Sequence, residues 1–176
     1  MIDWLAYTLV RIVGSLLCRV PPAAAVWLGE QLGLLASWLQ PRRAQVGRLN
    51  LRAAFDGHLP PAQVHRIIRA CYRQMGAGVV ELLRLPVMDR AYVERYITVE
   101  GRRDFEAAAA SGRPVIVLTG HYGNWELSSI TAALIGYPIV ALARAQEKLP
   151  RLYRLLVSYR ESKGCTIVHK GGAVKR

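Results

Sequence analysis

Residues 114–126 read PVIVLTGHYGNWE. Four consecutive aliphatic residues at 115–118 predict a buried strand, and the turn GHYG then leads into a helix that begins near Asn124. The predicted strand therefore ends at His121. Four residues separate His121 from Glu126. This spacing lets an imidazole at a strand end face a carboxylate in the next helix, as a general base and its orienting partner require.

The segments around this stretch alternate between strand and helix. Strands are predicted over 115–119, 138–142 and 165–168, and helices over 124–135 and 149–163. Such alternation is typical of a largely parallel sheet with helices on its faces. The sequence therefore predicts an α/β fold.

The region before this stretch is mostly helical in its pattern. Apolar residues at three- and four-residue spacing predict a long helix over 64–83, which Pro86 ends. Shorter helices are predicted over 89–95 and 104–111, and an alternating pattern over 96–101 predicts a half-buried strand.

Residues 1–40 are unusually apolar, and three of the four tryptophans of the chain lie there. Four charged residues interrupt the stretch: Asp3, Arg11, Arg19 and Glu30. Because a spanning helix needs about 20 nearly uncharged residues, we expect two helices, split at Pro21 and Pro22, that lie in or dip into one leaflet of a membrane. A pair of ordinary core helices is the alternative.

The chain is strongly basic. It has 24 Lys and Arg against 12 Asp and Glu, a net charge of +12, and residues 42–52 carry a cluster of four arginines. Such a charge favours nucleic acid, anionic lipid or an anionic substrate as the partner. Because 52% of the residues are hydrophobic and no nucleic-acid-binding motif is present, we expect a membrane surface and no nucleic acid.

The three cysteines, Cys18, Cys71 and Cys165, lie far apart in the sequence and form no C-x-x-C motif. This spacing excludes a disulfide framework and a zinc site. The sequence therefore predicts buried thiols in a reducing compartment, with no metal and no cofactor.

The chemistry expected of His121 is that of a general base. No serine or cysteine lies beside it in the sequence, so the nucleophile is predicted to be a hydroxyl of the substrate. Glu126 would hold the tautomer of the ring and stabilise the imidazolium. The amides of residues 122–124, at the positive end of the following helix, would hold an oxyanion or a phosphate, which makes Asn124 a predicted substrate-binding residue.

The combination of a hydrophobic strand, His121-x-x-x-x-Glu126 and a following helix resembles the HX4D/E signature of the glycerolipid acyltransferase superfamily. Three blocks resemble one branch in particular, the late acyltransferases of lipid A biosynthesis and their relatives. These blocks are RRAQVGRLNLRAAF, RQMGAGVVELLRLP and GRPVIVLTGHYGNWEL. The resemblance covers nearly the whole chain.

The resemblance implies a glycerol-3-phosphate acyltransferase-like αβ acyltransferase fold, preceded by apolar membrane-binding helices at the amino terminus. It implies transfer of a fatty acyl chain from a thioester, on acyl carrier protein or acyl-CoA, to a hydroxyl of a lipid A-type precursor. Catalysis would fall to His121 as the base and Glu126 as its charge-relay partner. The expected location is the cytoplasmic face of the inner membrane.

Two arginines are matched to arginines of the family, Arg144 after the strand that follows the motif and Arg160 in the next helix. Both are expected to bind phosphate or carboxylate of the substrate. Members of the family continue for about a hundred further residues. We therefore expect residues 1–40 to be a membrane-associating segment and residues 41–176 to be the amino-terminal part of the acyltransferase domain.

Several alternatives stay open at this point. The acceptor can be another lipid, such as a phosphatidylinositol mannoside or a lysophospholipid. The same base can activate water, which would make the protein a thioester hydrolase. The chain can also be an inactive, membrane-associated fragment in which His121 and Glu126 are structural.

Overall fold

The computed structural model describes residues 1–144 and 146–169. The chain is a mostly helical α/β protein that divides into two compact units, Met1–Leu85 and Pro86–Arg176. Residues 1–40 pack with the helices that follow them in the first unit. The functional boundary expected at residue 40 stays a prediction.

The first unit is built from helices, which are α1 (Ile2–Arg19), α2 (Pro22–Leu39), α3 (Pro41–Ala54) and α4 (Pro61–Leu83). Three of these helices begin at a proline. Proline is favoured there because its fixed φ suits the helix and its missing N–H would have had no helical partner. The predicted split at Pro21 and Pro22 and the predicted long helix α4 are both confirmed.

Glycine residues let α2 and α4 lie unusually close together. A Cβ added at Gly33 would overlap the carbonyl oxygen of Tyr72, and one added at Gly76 would overlap the carbonyl oxygen of Gly29. The large side chains of α2 lie outside this contact, and Trp27 is 58% exposed. The α2–α4 contact is therefore made through small residues.

The buried Arg84 joins the end of α4 to the end of α1. Its guanidinium donates hydrogen bonds to the carbonyl oxygen of Leu17 and, at 2.6 Å, to that of Val20. Carbonyl groups at the carboxyl end of a helix lack a partner further along the helix and carry partial negative charge. A buried cation at this position stabilises that end of α1.

Residues 1–144 and 146–169 contain no helix with both the length and the apolar character needed to cross a membrane. The contact with a membrane that the sequence predicts for residues 1–40 stays a prediction.

The second unit contains helices and a two-stranded parallel sheet in its described part. Its elements are α5 (Arg90–Tyr96), α6 (Arg102–Ala110), α7 (Trp125–Leu134), β1 (Ile139–Ala143), α8 (Pro150–Glu161) and β2 (Cys165–His169). The register places Ile139 beside Cys165 and Ala143 beside His169. Helix α7 packs on both strands and α8 packs on β2, so the predicted α/β arrangement is confirmed for these elements.

The buried strand predicted over 115–119 is wrong. Residues 114–120 have no regular secondary structure and pair with neither described strand. Ile116 is 84% exposed and Leu118 is 91% exposed. A strand needs hydrogen-bonding neighbours along its edges and packed elements on its faces. The local run of aliphatic residues supplies neither.

The strand predicted over 96–101 is also absent. Helix α5 continues to Tyr96, and Gly101, with φ of 68°, precedes the first turn of α6. Asp89 starts α5 by accepting a hydrogen bond from the Tyr92 amide at 2.7 Å. Residues 97–100, between these helices, have no regular secondary structure and pair with neither β1 nor β2.

The three cysteines, Cys18, Cys71 and Cys165, differ in their exposure to solvent. Cys165 is buried and Cys18 is half-buried, as the sequence predicts. Cys71 lies exposed on α4, so the prediction of a buried thiol is wrong there.

Candidate active site

His121 lies in the loop that connects residues 114–120 to α7. The loop turns at Gly123, whose φ of 59° is a conformation that glycine adopts at little cost. The His121 ring packs against the ring of Trp125, with 4.7 Å between centroids and 53° between planes. The imidazole is otherwise exposed to solvent, so a substrate can reach its nitrogens.

Glu126 lies in the first turn of α7 and is held by Arg160 of α8. The Arg160 Nε donates to Glu126 Oε2 at 2.7 Å, and Arg160 Nη2 donates to Glu126 Oε1 at 2.6 Å. The side chains of Arg160 and Glu126 are 15% and 23% exposed. Two parallel hydrogen bonds between a guanidinium and a carboxylate fix both groups in one orientation.

Among the described residues, no hydrogen bond joins His121 to Glu126. The His121 ring packs on Trp125, and the Glu126 carboxylate accepts its hydrogen bonds from Arg160 of α8. The predicted dyad stays a prediction.

Asn124 is the N-cap of α7. Its side-chain oxygen accepts a hydrogen bond from the Leu127 amide at 3.3 Å. N-caps of this kind stabilise the start of a helix. Asn124 therefore has a structural role in addition to the substrate contact that the sequence predicts.

Arg144 directly follows Ala143, the last residue of β1. The register pairs Ile139 with Cys165 and Ala143 with His169, so Arg144 follows the carboxyl end of the two-stranded sheet. In the described part of the chain, no hydrogen bond or ion pair joins Arg144 to Glu126 or Arg160.

The thiol of Cys165 is buried beside the Glu126–Arg160 pair. Burial raises the pKa of Cys165, and the Glu126 carboxylate raises it further. A hydrogen bond with the Ser129 side chain and the charge of Arg160 oppose this rise in the pKa. The thiol also donates to the Ser129 carbonyl oxygen at 3.7 Å. Because the net direction is upward, Cys165 stays a neutral thiol at physiological pH and is a packing residue.

The site offers three kinds of chemistry. The exposed imidazole of His121 can accept a proton, and the amino end of α7 can stabilise a negative charge near it. The Glu126–Arg160 pair fixes the position of a carboxylate in the first turn of that helix. The residues with assigned coordinates contain no cluster of His, Cys, Asp and Glu that could hold a metal ion.

The sequence predicts Arg160 as a substrate-binding residue and does not predict its contact with Glu126. The two residues are 34 positions apart, and no local spacing links them. The packing of His121 on Trp125 was also missed, although an aromatic residue four positions after a histidine is a signal that could have found it.

The family model of the bacterial lipid A biosynthesis acyltransferases matches residues 1–176, and the chain belongs to that family. The family that the sequence resembles is thereby confirmed.

The chain is 30% identical over 110 residues to a phosphatidylinositol mannoside acyltransferase of Mycolicibacterium smegmatis. The aligned part is 62% of this chain and 36% of the relative, so the match spans about a third of the relative's length. No solved structure matches the chain.

Proposed function

We propose that this chain carries the amino-terminal part of an O-acyltransferase that moves a fatty acyl chain from a thioester to a lipid A-type glycolipid precursor. The donor is acyl carrier protein or acyl-CoA. The observation that carries the proposal is the exposed His121 imidazole directly before the amino end of α7, where Glu126 follows in the first turn.

In this reaction His121 removes the proton of the acceptor hydroxyl as its oxygen attacks the thioester carbonyl. The negative charge that develops on the carbonyl oxygen is stabilised near the amino end of α7. The carbon–sulfur bond then breaks, and the imidazolium returns the proton to the leaving sulfur. The products are an oxygen ester and a free thiol.

The other predicted residues support these steps. Glu126 stabilises the imidazolium once His121 turns toward it, and Arg160 holds the Glu126 carboxylate in a fixed orientation. Arg144 binds an anionic group of a substrate, and Asn124 holds the turn that presents His121. Because both the acceptor and the product are lipids, we expect the reaction at a membrane, and we propose the cytoplasmic face of the inner membrane, which the family resemblance implies.

A second acceptor has specific support. The mycobacterial relative is a phosphatidylinositol mannoside acyltransferase by name, so a phosphatidylinositol mannoside is the alternative substrate of this chain. A lysophospholipid is the third lipid to be tested. All three acceptors present a hydroxyl group to the same base.

The test replaces the proposed base. His121→Ala is expected to lower acyl transfer by about 10²- to 10⁴-fold, because general-base catalysis contributes about that much. Transfer of labelled acyl chains from acyl carrier protein or acyl-CoA is measured in membranes supplied with each of the three acceptors. His65→Ala, which removes an exposed histidine from α4, is the matched control and should retain full activity.

Product analysis separates the competing functions. An ester product that disappears in His121→Ala supports the proposal, and the acceptor that is consumed identifies the substrate. Release of free fatty acid without ester would identify a thioester hydrolase. Equal transfer by His121→Ala and the unmodified chain would contradict the assignment of the base.

A further inference from the structure

Three polar residues lie at the carboxyl end of the two-stranded sheet. His169 is the last residue of β2, and the register pairs it with Ala143, the residue directly before Arg144. Neighbouring strands lie roughly 4.8 Å apart and one residue advances a strand by roughly 3.3 Å, so the backbones of Arg144 and His169 are about 6 Å apart. Tyr153, near the start of α8, contacts His169. We call Arg144, Tyr153 and His169 the sheet-end cluster.

Tyr153 holds the imidazole of His169. Its hydroxyl lies 3.3 Å from Nδ1 of the ring, and the two rings are 5.8 Å apart between centroids, with 46° between their planes. Tyr153 is half-buried in α8, whereas His169 is exposed. The described residues provide no hydrogen-bond partner for the other ring nitrogen, Nε2. Tyr153 therefore occupies one nitrogen and leaves Nε2 for a ligand.

The Nε2 atom of His169 is a hydrogen-bond donor in two states of the ring. When the Tyr153 hydroxyl donates to Nδ1, the neutral ring carries its hydrogen on Nε2. When the ring is protonated, both nitrogens carry hydrogen and the hydroxyl accepts from Nδ1. An acceptor bound at Nε2 favours both states, so this position suits an anion.

The charge around the sheet-end cluster also favours an anion. Residues 144–154 contain one acidic residue, Glu147, and four basic residues, which are Arg144, Lys148, Arg151 and Arg154. Arg144 is exposed, and within residues 1–144 and 146–169 it forms no ion pair. Its guanidinium is therefore open to a ligand.

The number of donors favours phosphate over carboxylate. A guanidinium donates two parallel hydrogen bonds, which use both oxygens of a carboxylate but leave further oxygens of a phosphate free. A phosphate group can thus accept from Arg144 and from Nε2 of His169 at the same time. Open α/β sheets bind their ligands in the crevice outside the carboxyl ends of the strands, which is where these two side chains lie.

We propose that His169, positioned by Tyr153, binds a phosphate group of a substrate together with Arg144. The identity of the substrate rests on the proposed function. Coenzyme A, the phosphopantetheine arm of acyl carrier protein and a phosphatidylinositol mannoside all carry phosphate. The site therefore recognises either the thioester donor or the lipid acceptor.

The first test measures binding without turnover. Long-range ¹H–¹⁵N correlation spectra report the ring nitrogens of the four histidines while inorganic phosphate replaces chloride at constant pH and ionic strength. The Nε2 signal of His169 should shift to saturation, whereas that of His65, exposed on α4, should not. Arg144→Gln should weaken phosphate binding by about tenfold, as expected for a lost hydrogen bond to a charged group. Arg66→Gln, at an exposed position of α4, is the matched control.

The second test examines the positioning role of Tyr153. Tyr153→Phe keeps the ring and removes the hydroxyl. It should weaken phosphate binding by about threefold, since the lost contact is a single hydrogen bond between side chains, and it should shift the Nδ1 signal of His169 in the absence of phosphate. Tyr96→Phe, at a half-exposed tyrosine of α5, is the control and should change neither quantity.

Steady-state kinetics identify the source of the phosphate. His169→Ala should raise KM by about tenfold for the substrate that carries it and change kcat by less than about twofold, because His169 does not touch the reacting atoms. Donor and acceptor are varied separately. A higher KM for the acceptor identifies the lipid, and a higher KM for the donor identifies the thioester. His65→Ala is the control and should leave both KM values unchanged.

Each result decides the question once circular dichroism has shown that the variants are folded. A saturable shift that Arg144→Gln and Tyr153→Phe weaken, and that their controls do not, supports the site. No saturable shift, or equal losses in variants and controls, would overturn it. Phosphate binding with both KM values unchanged in His169→Ala would overturn the assignment to a substrate and identify free phosphate as the ligand. Because the titration needs no turnover, a chain that binds phosphate but transfers no acyl group would contradict the proposed function alone.

Discussion

Glu126 has two potential cationic partners, and in this structure it is paired with Arg160. The guanidinium of Arg160 is always charged and offers two parallel donors that match the two carboxylate oxygens. An imidazole such as that of His121 can direct only one N–H group toward a given carboxylate, and it carries a charge only when it is protonated. The pairing follows from this difference, and it leaves the His121 ring to pack on Trp125.

Removing Arg160 tests this pair. Arg160→Gln is expected to lower the free energy of unfolding of the chain by about 1–3 kcal/mol, because the largely buried Glu126 carboxylate loses its charged partner. Chemical denaturation measures the change. Arg154→Gln, at an exposed position of the same helix, should change stability by less than about 0.5 kcal/mol.

A double-mutant cycle isolates the contact. The loss in Glu126→Gln/Arg160→Gln should be smaller than the sum of the two single losses by about 1 kcal/mol or more, since each single variant already breaks the contact. Strictly additive losses would mean that the ion pair contributes nothing and that Arg160 acts elsewhere.

Among the secondary-structure elements, the contact between α2 and α4 depends on backbone proximity. Gly29, Gly33 and Gly76 leave no room for a Cβ, whereas Gly14 on α1 does, with its nearest neighbour at 3.4 Å. The same substitution therefore has different consequences at these positions. Helix propensity alone would predict that alanine stabilises all of them.

Replacing Gly33 with alanine tests this distinction. Gly33→Ala is expected to lower the free energy of unfolding by about 1–3 kcal/mol, because the added methyl group forces α2 away from the Tyr72 carbonyl oxygen. Gly14→Ala is the control and should be neutral or stabilising by up to about 1 kcal/mol. A stabilised Gly33→Ala variant in thermal unfolding would show that the helices separate without cost.

Local sequence patterns predict some secondary-structure elements of this chain correctly and fail for others. Helices α4, α7 and α8 and strands β1 and β2 lie where the sequence predicts them, because their periodicity and their proline and glycine boundaries are local. Residues 115–119 have the strongest strand pattern of the chain and form no strand. A strand forms only where a neighbouring strand can hydrogen-bond to it. The local pattern of residues does not show whether such a strand is present.

For the whole molecule, the dominant property is its charge of +12, with a pI near 10.3. Such a charge attracts any polyanion. It affects the association of the protein with its partners and gives no information about the fold. Nucleic-acid binding by this chain should therefore be weak, independent of sequence and sensitive to salt.

Fluorescence anisotropy with two unrelated DNA duplexes tests this expectation. Both should bind with the same affinity at about 50 mM NaCl and lose most of it by about 200 mM, because binding depends on released counterions. Heparin, which has charge but no bases, should compete as well as DNA does. Affinity for one duplex that persists at high salt would indicate a nucleic-acid-binding function.

The sequence by itself determined the family, the position of His121 before a helix, the boundaries of most helices and the basic character of the chain. These features depend on residue types and short spacings, which are local. Tertiary contacts settle three further features: Glu126 pairs with Arg160, Leu9 of α1 is 62% exposed, and residues 115–119 pair with neither described strand. Each of these depends on which distant segments meet, and distance in space is not encoded in any short stretch.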